Sequence, residues 1–87
     1  MSDEVKIKRS YYTNGQMQYE HPYKDGKPHG LCRGWHEDGQ LAYEDHYKCG
    51  KLHGICRGWY EDGQPEYEHL YEHGKLVKDL AKEKDHE

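Results

Sequence analysis

The feature that most constrains this chain is a repeat of 24 residues. His21–Glu44 (HPYKDGKPHGLCRGWHEDGQLAYE) aligns without a gap on Asp45–Glu68 (DHYKCGKLHGICRGWYEDGQPEYE), and 16 of the 24 positions are identical. The period continues in both directions. Arg9–Gln16 stands where RGWHEDGQ and RGWYEDGQ stand later, and Tyr71–Leu76 repeats YKDGKP and YKCGKL. A sequence with such a period folds as a row of like units, each packed chiefly on its neighbours. The expected organisation is an array over residues 1–76. It comprises a half repeat (5–20), two whole repeats (21–44 and 45–68) and a second half repeat (69–76).

Glycine marks the turns. Gly15, Gly26, Gly39, Gly50, Gly63 and Gly74 alternate at intervals of 11 and 13 residues. Four of them follow Asn or Asp, the dipeptides that favour type I′ hairpins because both central residues take positive φ. Cys49 and His73 stand in the same place before Gly50 and Gly74. Six turns predict seven strands in one up-and-down meander, so the expected fold class is all-β. Its architecture is an elongated, twisted, single-layer antiparallel sheet.

Two-residue turns would set the register by arithmetic. Around Asp38-Gly39, Glu37 would oppose Gln40, Trp35 would oppose Ala42, Gly34 would oppose Tyr43 and Arg33 would oppose Glu44. Gly58 and Tyr67, Arg57 and Glu68, Ser10 and Tyr19, and Arg9 and Glu20 would form the same pairs in the neighbouring units. A tyrosine opposite a glycine can lie across bare backbone, and each Arg–Glu pair is a cross-strand ion pair. Strand parity then sorts the two faces. Tyr43, Tyr47, Tyr67, Tyr71 and Leu41 fall on an aromatic face; the other carries the Arg and Glu residues, interrupted by Trp35 and Trp59. A bulge at either His-Gly step would shift part of this sorting.

The composition agrees with a thin structure. Hydrophobic residues make up 32% of the chain and charged residues 34%, and Phe is absent. Filling a conventional two-layer core from that is hard, but nine Tyr and two Trp supply large rings with polar tips. Residues 77–87 drop the pattern. Leu76, Val77, Leu80 and Ala81 make a short helical stripe, so a C-terminal capping helix or a charged tail is expected there.

The succession Tyr-x-x-Gly-Lys-x-His-Gly, a Gly-Trp step, Asp-Gly-Gln and Tyr-Glu resembles the variant MORN repeat over about residues 9–76. The matching positions are Tyr23, Gly26, Lys27, His29, Gly30, Gly34, Trp35, Gly39 and Tyr43, with their equivalents 24 residues on. Short chains of this kind are similar to the YwqK-family antitoxin-like proteins. The resemblance implies an elongated single-layer sheet and a role in scaffolding, dimerisation or contact with acidic lipids. Cys49 and His73 depart from the Asp or Asn of the pattern, and Lys78 stands where Gly30 and Gly54 do.

The residues offer little chemistry for catalysis. Glu37-Asp38 and Glu61-Asp62 flank turns, where Asp is wanted for backbone reasons, and no nucleophile–base set or phosphate loop is visible. His46 and His53 should face each other across the Cys49-Gly50 hairpin, but Zn²⁺ needs three or four converging ligands, so no metal and no cofactor are expected. Cys32 and Cys56, two strands apart, are too distant for a disulfide and read as small buried residues. A net charge of −4 gives no support to nucleic-acid binding. No apolar run approaches a signal peptide or a membrane span, so a soluble cytoplasmic protein is expected.

Charge is nevertheless ordered. Alternate turns lie on opposite edges of a meander, which gathers Lys24, Lys27, Lys48 and Lys51 on one edge and Glu37, Asp38, Glu61 and Asp62 on the other. The reading is a non-enzymatic protein–protein interaction or scaffolding module, self-association included. Its candidate contacts are Trp35, Trp59, Tyr43, Tyr67, Tyr47 and Tyr71. Two alternatives are an antitoxin-like inhibitor of a specific protein and a peripheral binder of acidic lipid headgroups through the lysine edge.

Overall fold

In the computed structural model, residues 4–81 are described. They form one open antiparallel sheet of nine strands: β1 (Lys6–Tyr11), β2 (Met17–Lys24), β3 (Lys27–Pro28), β4 (Gly30–Trp35), β5 (Leu41–Lys48), β6 (Lys51–Leu52), β7 (Gly54–Trp59), β8 (Pro65–Glu72) and β9 (Lys75–Asp79). Across the sheet the order is β1-β2-β4-β5-β7-β8-β9, with β3 on β2 and β6 on β5. The backbone extends over 48 × 35 × 12 Å, the thickness of a single layer. The expected all-β meander is therefore the fold. β3 with β4, and β6 with β7, are each one expected strand interrupted at a histidine, His29 or His53. There residues 29–32 lie opposite only residues 21–22, and the His29 amide donates to the Pro22 carbonyl at 2.9 Å.

The six turns are of two kinds, a distinction the expected register lacked. At residues 25–26, 49–50 and 73–74 the loop is two residues long and closes on Lys24–Lys27, Lys48–Lys51 and Glu72–Lys75. Both central residues have positive φ, 52° and 80° at Asp25-Gly26, as a type I′ turn requires. At the other edge the loop has three residues. The His36 amide donates to the Gln40 carbonyl at 2.8 Å and the Gly39 amide to the His36 carbonyl at 2.9 Å. Asp38 Oδ1 accepts from the Gln40 amide at 2.9 Å, the local bond that suits Asp and Asn to such loops. Asn14 and Asp62 make the same bond.

The longer loop moves His36, not Glu37, opposite Gln40, and pairs Trp35 with Leu41 rather than Ala42. A bulge between Gly34 and Trp35 then takes up the extra residue. Beyond it Gly34 lies opposite Tyr43 and Arg33 opposite Glu44, as the arithmetic had them, and the pairs of the neighbouring units follow suit. Leu41 is consequently on the tryptophan face, not the aromatic one.

At the C-terminus the strand continues past the expected limit at residue 76, through Asp79. Asp79 Oδ1 then accepts from the Ala81 amide at 3.1 Å, an N-cap contact as Leu80 and Ala81 turn helical. The remainder of the expected cap or tail, residues 82–87, lies outside the described residues.

What the layer buries is small and specific. Cys32 and Cys56 are 3% and 1% exposed, and the other buried positions among the described residues are Gly34 and Gly58. The Tyr43 ring lies on Gly34 and the Tyr67 ring on Gly58, so closely that a Cβ at either glycine would overlap the ring. Gly58→Ala is expected to cost about 1–3 kcal/mol, the usual range for overpacking a filled site, read as a lower urea midpoint at unchanged slope. An unchanged midpoint would show that the ring does not rest there.

Candidate binding surfaces

Strand alternation places Tyr19, His21, Tyr23, Tyr43, Asp45, Tyr47, Tyr67, His69 and Tyr71 on one face, all half-buried. Tyr19 stacks on His21 with ring centroids 4.6 Å apart, and Tyr67 on His69 at 5.5 Å. Each central tyrosine hydroxyl reaches across the sheet to the first residue of its own 24-residue repeat. That of Tyr43 meets His21 Nε2 at 2.7 Å, and that of Tyr67 donates to Asp45 Oδ1 at 3.1 Å. His21, Asp45 and His69 occupy one repeat position. The sequence had shown the tyrosines but not these partners, because that position differs from unit to unit.

Burial governs the chemistry of this face. Together with the nearby Asp45 carboxylate, which contributes less, it pushes the Tyr43 hydroxyl up to about 12. Burial likewise raises the Cys32 thiol to about 11, with Asp45 adding to the shift. Neither group is a ready nucleophile, since the thiolate is the reactive form. Burial also raises Asp45 itself and lowers His21, in each case disfavouring the charged form.

The opposite face is a ladder of charges with the tryptophans set into it. Arg9 Nε and Arg33 Nη2 both donate to Glu20, at 2.9 and 3.0 Å, and Arg57 Nε donates to Glu68 at 2.9 Å. Arg33 thus turns to Glu20 rather than to Glu44, which the register sets opposite it. The two arginines hold the Glu20 carboxyl below its ordinary range, Arg9 contributing most. The Arg33 guanidinium also lies 5.6 Å from the centroid of the Trp35 ring. The Trp35 carbonyl accepts from the Tyr12 hydroxyl at 2.6 Å, and the Trp59 carbonyl pairs with His36 Nε2 at 3.0 Å. Both tryptophans are half-buried, and they lie on the face opposite Tyr43, Tyr47, Tyr67 and Tyr71. The six candidate contacts are therefore two surfaces and not one.

The edge with the two-residue turns carries Lys24, Lys27, Lys48 and Lys51 together, as the alternation required. His29 and His53 have a role here that spacing did not reveal. His29 Nδ1 accepts from the Cys49 amide at 3.1 Å, and His53 Nδ1 from the His73 amide at 3.2 Å. The adjacent glycine amides donate to the Pro28 and Leu52 carbonyls at 2.9 and 2.8 Å. Each histidine so fastens the next turn to its own repeat. His46 does not converge with His53, because His46 Nδ1 bonds the Ile55 carbonyl at 2.8 Å. Among the described residues no three His, Cys, Asp or Glu side chains gather as a metal site.

The family model described as MORN repeat variant matches residues 5–25, 28–48 and 52–73, together well over half of the chain. The chain belongs to the MORN repeat variant family. Each matched segment is one hairpin with a three-residue loop, so the family frames the array as three such units in a different phase of the same period. A search of curated proteins returned no match, and neither did a search of solved structures. No helix among the described residues of this MORN sheet is long and apolar enough to cross a membrane.

The lowered His21 value has a consequence for stability. Below the ordinary value of 6.5 the unfolded chain takes up this proton before the folded one does. The contribution of neutral His21 is therefore complete above 6.5 and is lost as pH falls towards the folded value. Between about pH 7.5 and pH 5, wild type is expected to lose more of its thermal midpoint than His21→Gln, which keeps a polar partner for Tyr43. Equal losses would show that His21 titrates alike in both states.

Proposed function

We propose that this protein is a non-enzymatic interaction module whose aromatic face receives a protein partner, the simplest being a second copy of itself. MORN repeats are associated with protein–protein and with membrane or lipid contacts, and are typically non-catalytic. The observation that carries the proposal is the 12 Å thickness of the sheet. One layer has nothing behind it, so Tyr47 and Tyr71, with the outer sides of Tyr43 and Tyr67, form a continuous row without a second layer among the described residues. Aromatic rows with polar tips suit interface cores, and contiguous apolar surface of this kind marks contact sites. An antitoxin-like inhibitor would use the same row against a toxic partner; that reading gains no support from the family match.

Sedimentation over a wide concentration range tests this. A mass approaching twice 10.4 kDa, reverting to one chain in Tyr47→Ser/Tyr71→Ser, is the expected result. Those residues are chosen because Tyr43 and Tyr67 also hold the fold. A strict monomer at every concentration would rule out the second copy, and a dimer indifferent to both substitutions would place the contact elsewhere.

A second reading rests on the lysine edge, whose charge suits acidic lipid headgroups. It requires salt-sensitive attachment to anionic vesicles, abolished when Lys24, Lys27, Lys48 and Lys51 are replaced by Glu. Attachment that survives the replacement would exclude this edge.

A further inference from the structure

On the lysine edge, the second and third two-residue turns enclose an open cavity of about 370 Å³ lined by Lys27, Lys48, Cys49, Lys51, His53 and His73. Its charge is uncompensated. The guanidinium groups of Arg9, Arg33 and Arg57 are all paired with glutamates. Among the described residues, none of Lys27, Lys48 and Lys51 has a carboxylate within ion-pair distance. Three like charges converging without a counterion repel one another, and an anion is the species that would relieve them.

The turn residues point the same way. The first of these turns has Asp25, a residue the type I′ geometry accepts readily. The second and third have Cys49 and His73 at φ 51°, a region that side chains other than Asn, Asp and His adopt less often, so Cys49 is the residue out of place. Relative to the first turn, the effect at the cavity is to replace a carboxylate with neutral or donor groups. Backbone preference does not explain Cys49.

The donors are also held in place. A Cβ on Gly50 would touch the Lys27 stem and one on Gly74 the Lys51 stem, so the methylenes of both lysines run across bare glycine backbone. His53 Nδ1 is committed as an acceptor to the His73 amide. In the neutral ring the proton therefore sits on Nε2, which leaves an N–H to donate. The His53 and His73 rings lie 5.1 Å apart.

We propose that this cavity binds a small phosphorylated anion by its phosphate oxygens, with Lys27, Lys48, Lys51 and the His53 Nε2–H as its donors. Lysine ammonium groups and a ring N–H offer charge-assisted hydrogen bonds to such oxygens, and the cavity is roomy enough for more than one phosphate. The proposal does not depend on the aromatic face or on attachment to a membrane. The same phosphate chemistry is available from a soluble compound or from a lipid headgroup.

Inorganic pyrophosphate, titrated into the isotope-labelled full chain and followed by amide NMR shifts, is the direct probe. The expected result is saturable shifts confined to the amides of Lys27, Lys48–His53 and His73–Lys75. Lys48→Met and Lys51→Met should each weaken binding roughly tenfold, the factor of about one charge-assisted hydrogen bond. These variants keep the stem and a folded spectrum; Lys6→Met and Lys8→Met, on another edge, should change nothing. A parallel arm uses phosphatidylcholine vesicles with and without phosphatidic acid. Attachment lost in the same two variants, alongside pyrophosphate binding, would support the site and name the headgroup as a source. Vesicle attachment without pyrophosphate binding would overturn the proposal, as would shifts spread over Lys6, Lys8 and Lys24. It would equally fall if pyrophosphate did not bind while Lys48→Met and Lys51→Met dissociated a dimer. That result would assign the lysine edge to the Glu37, Asp38, Glu61 and Asp62 edge of a second copy.

Discussion

A single sheet can bury only what lies flat on it, and here that is a tyrosine ring on a glycine. Tyr43 on Gly34 and Tyr67 on Gly58 exclude water from two stretches of backbone, where the described residues form no second layer to do so. Most of the remaining order leans on these pairs. The bulge beside Gly34 brings the register back so that ring and glycine coincide. Cys32 and Cys56, two residues before the glycines on the same strand face, are the most deeply buried side chains. The tyrosine hydroxyls then stand where they reach His21 and Asp45, on the last strand of the preceding hairpin. Any side chain in place of the glycine would lift the ring and loosen all of these at once.

Coupling between repeats follows from the same geometry and is mainly local. Besides strand pairing, adjacent hairpins share three kinds of bond: tyrosine hydroxyl to His21 or Asp45, Tyr12 or His36 to a tryptophan carbonyl, and turn amide to His29 or His53. Each kind occurs twice, about one period apart in sequence, which is how a nearest-neighbour array is held. The arginine–glutamate ladder adds little stability at its exposure, since such pairs contribute at most about 1 kcal/mol each. Its larger effect is to make one face of the sheet polar.

Much of this was legible in the sequence, for a definite reason. The Gly–Tyr and Arg–Glu pairs recur with the period, and recurrence survives a wrong assumption about loops. A three-residue loop and a one-residue bulge cancel, so every pair beyond Gly34 came out right although the turn type was wrong. The pairs between loop and bulge, Glu37 with Gln40 and Trp35 with Ala42, were misplaced, and Leu41 with them. A signal for the two loop types was present: Asn or Asp is retained before Gly-Gln, where its side chain bonds the backbone, and is not retained before Gly-Lys, where only φ matters. The jobs of His29 and His53 were not legible. Their partners are the backbone amides of Cys49 and His73, which have no signature in side-chain spacing. The basic edge was legible as a row of charges, but not as a cavity with held donors.

Positions that keep the repeat serve the sheet, so the positions that break it say most about what this copy of the fold does. Two breaks matter. His21, Asp45 and His69 differ along the aromatic face, yet the fold absorbs the difference. A tyrosine hydroxyl pairs with an imidazole nitrogen in one unit and a carboxylate in the next, and His69, last in the row, lies 3.7 Å from Asp79 instead. Asp25, Cys49 and His73 differ along the turn edge, and there no side-chain bond in the sheet calls for the exchange. The turn conformation is the same in all three, with φ of 52°, 51° and 51°; His suits it as Asp does, whereas Cys49 does not. At Cys49 the change is one that the backbone does not favour and no neighbouring side-chain bond requires. The loss of the carboxylate coincides with the place where three unpaired lysines meet.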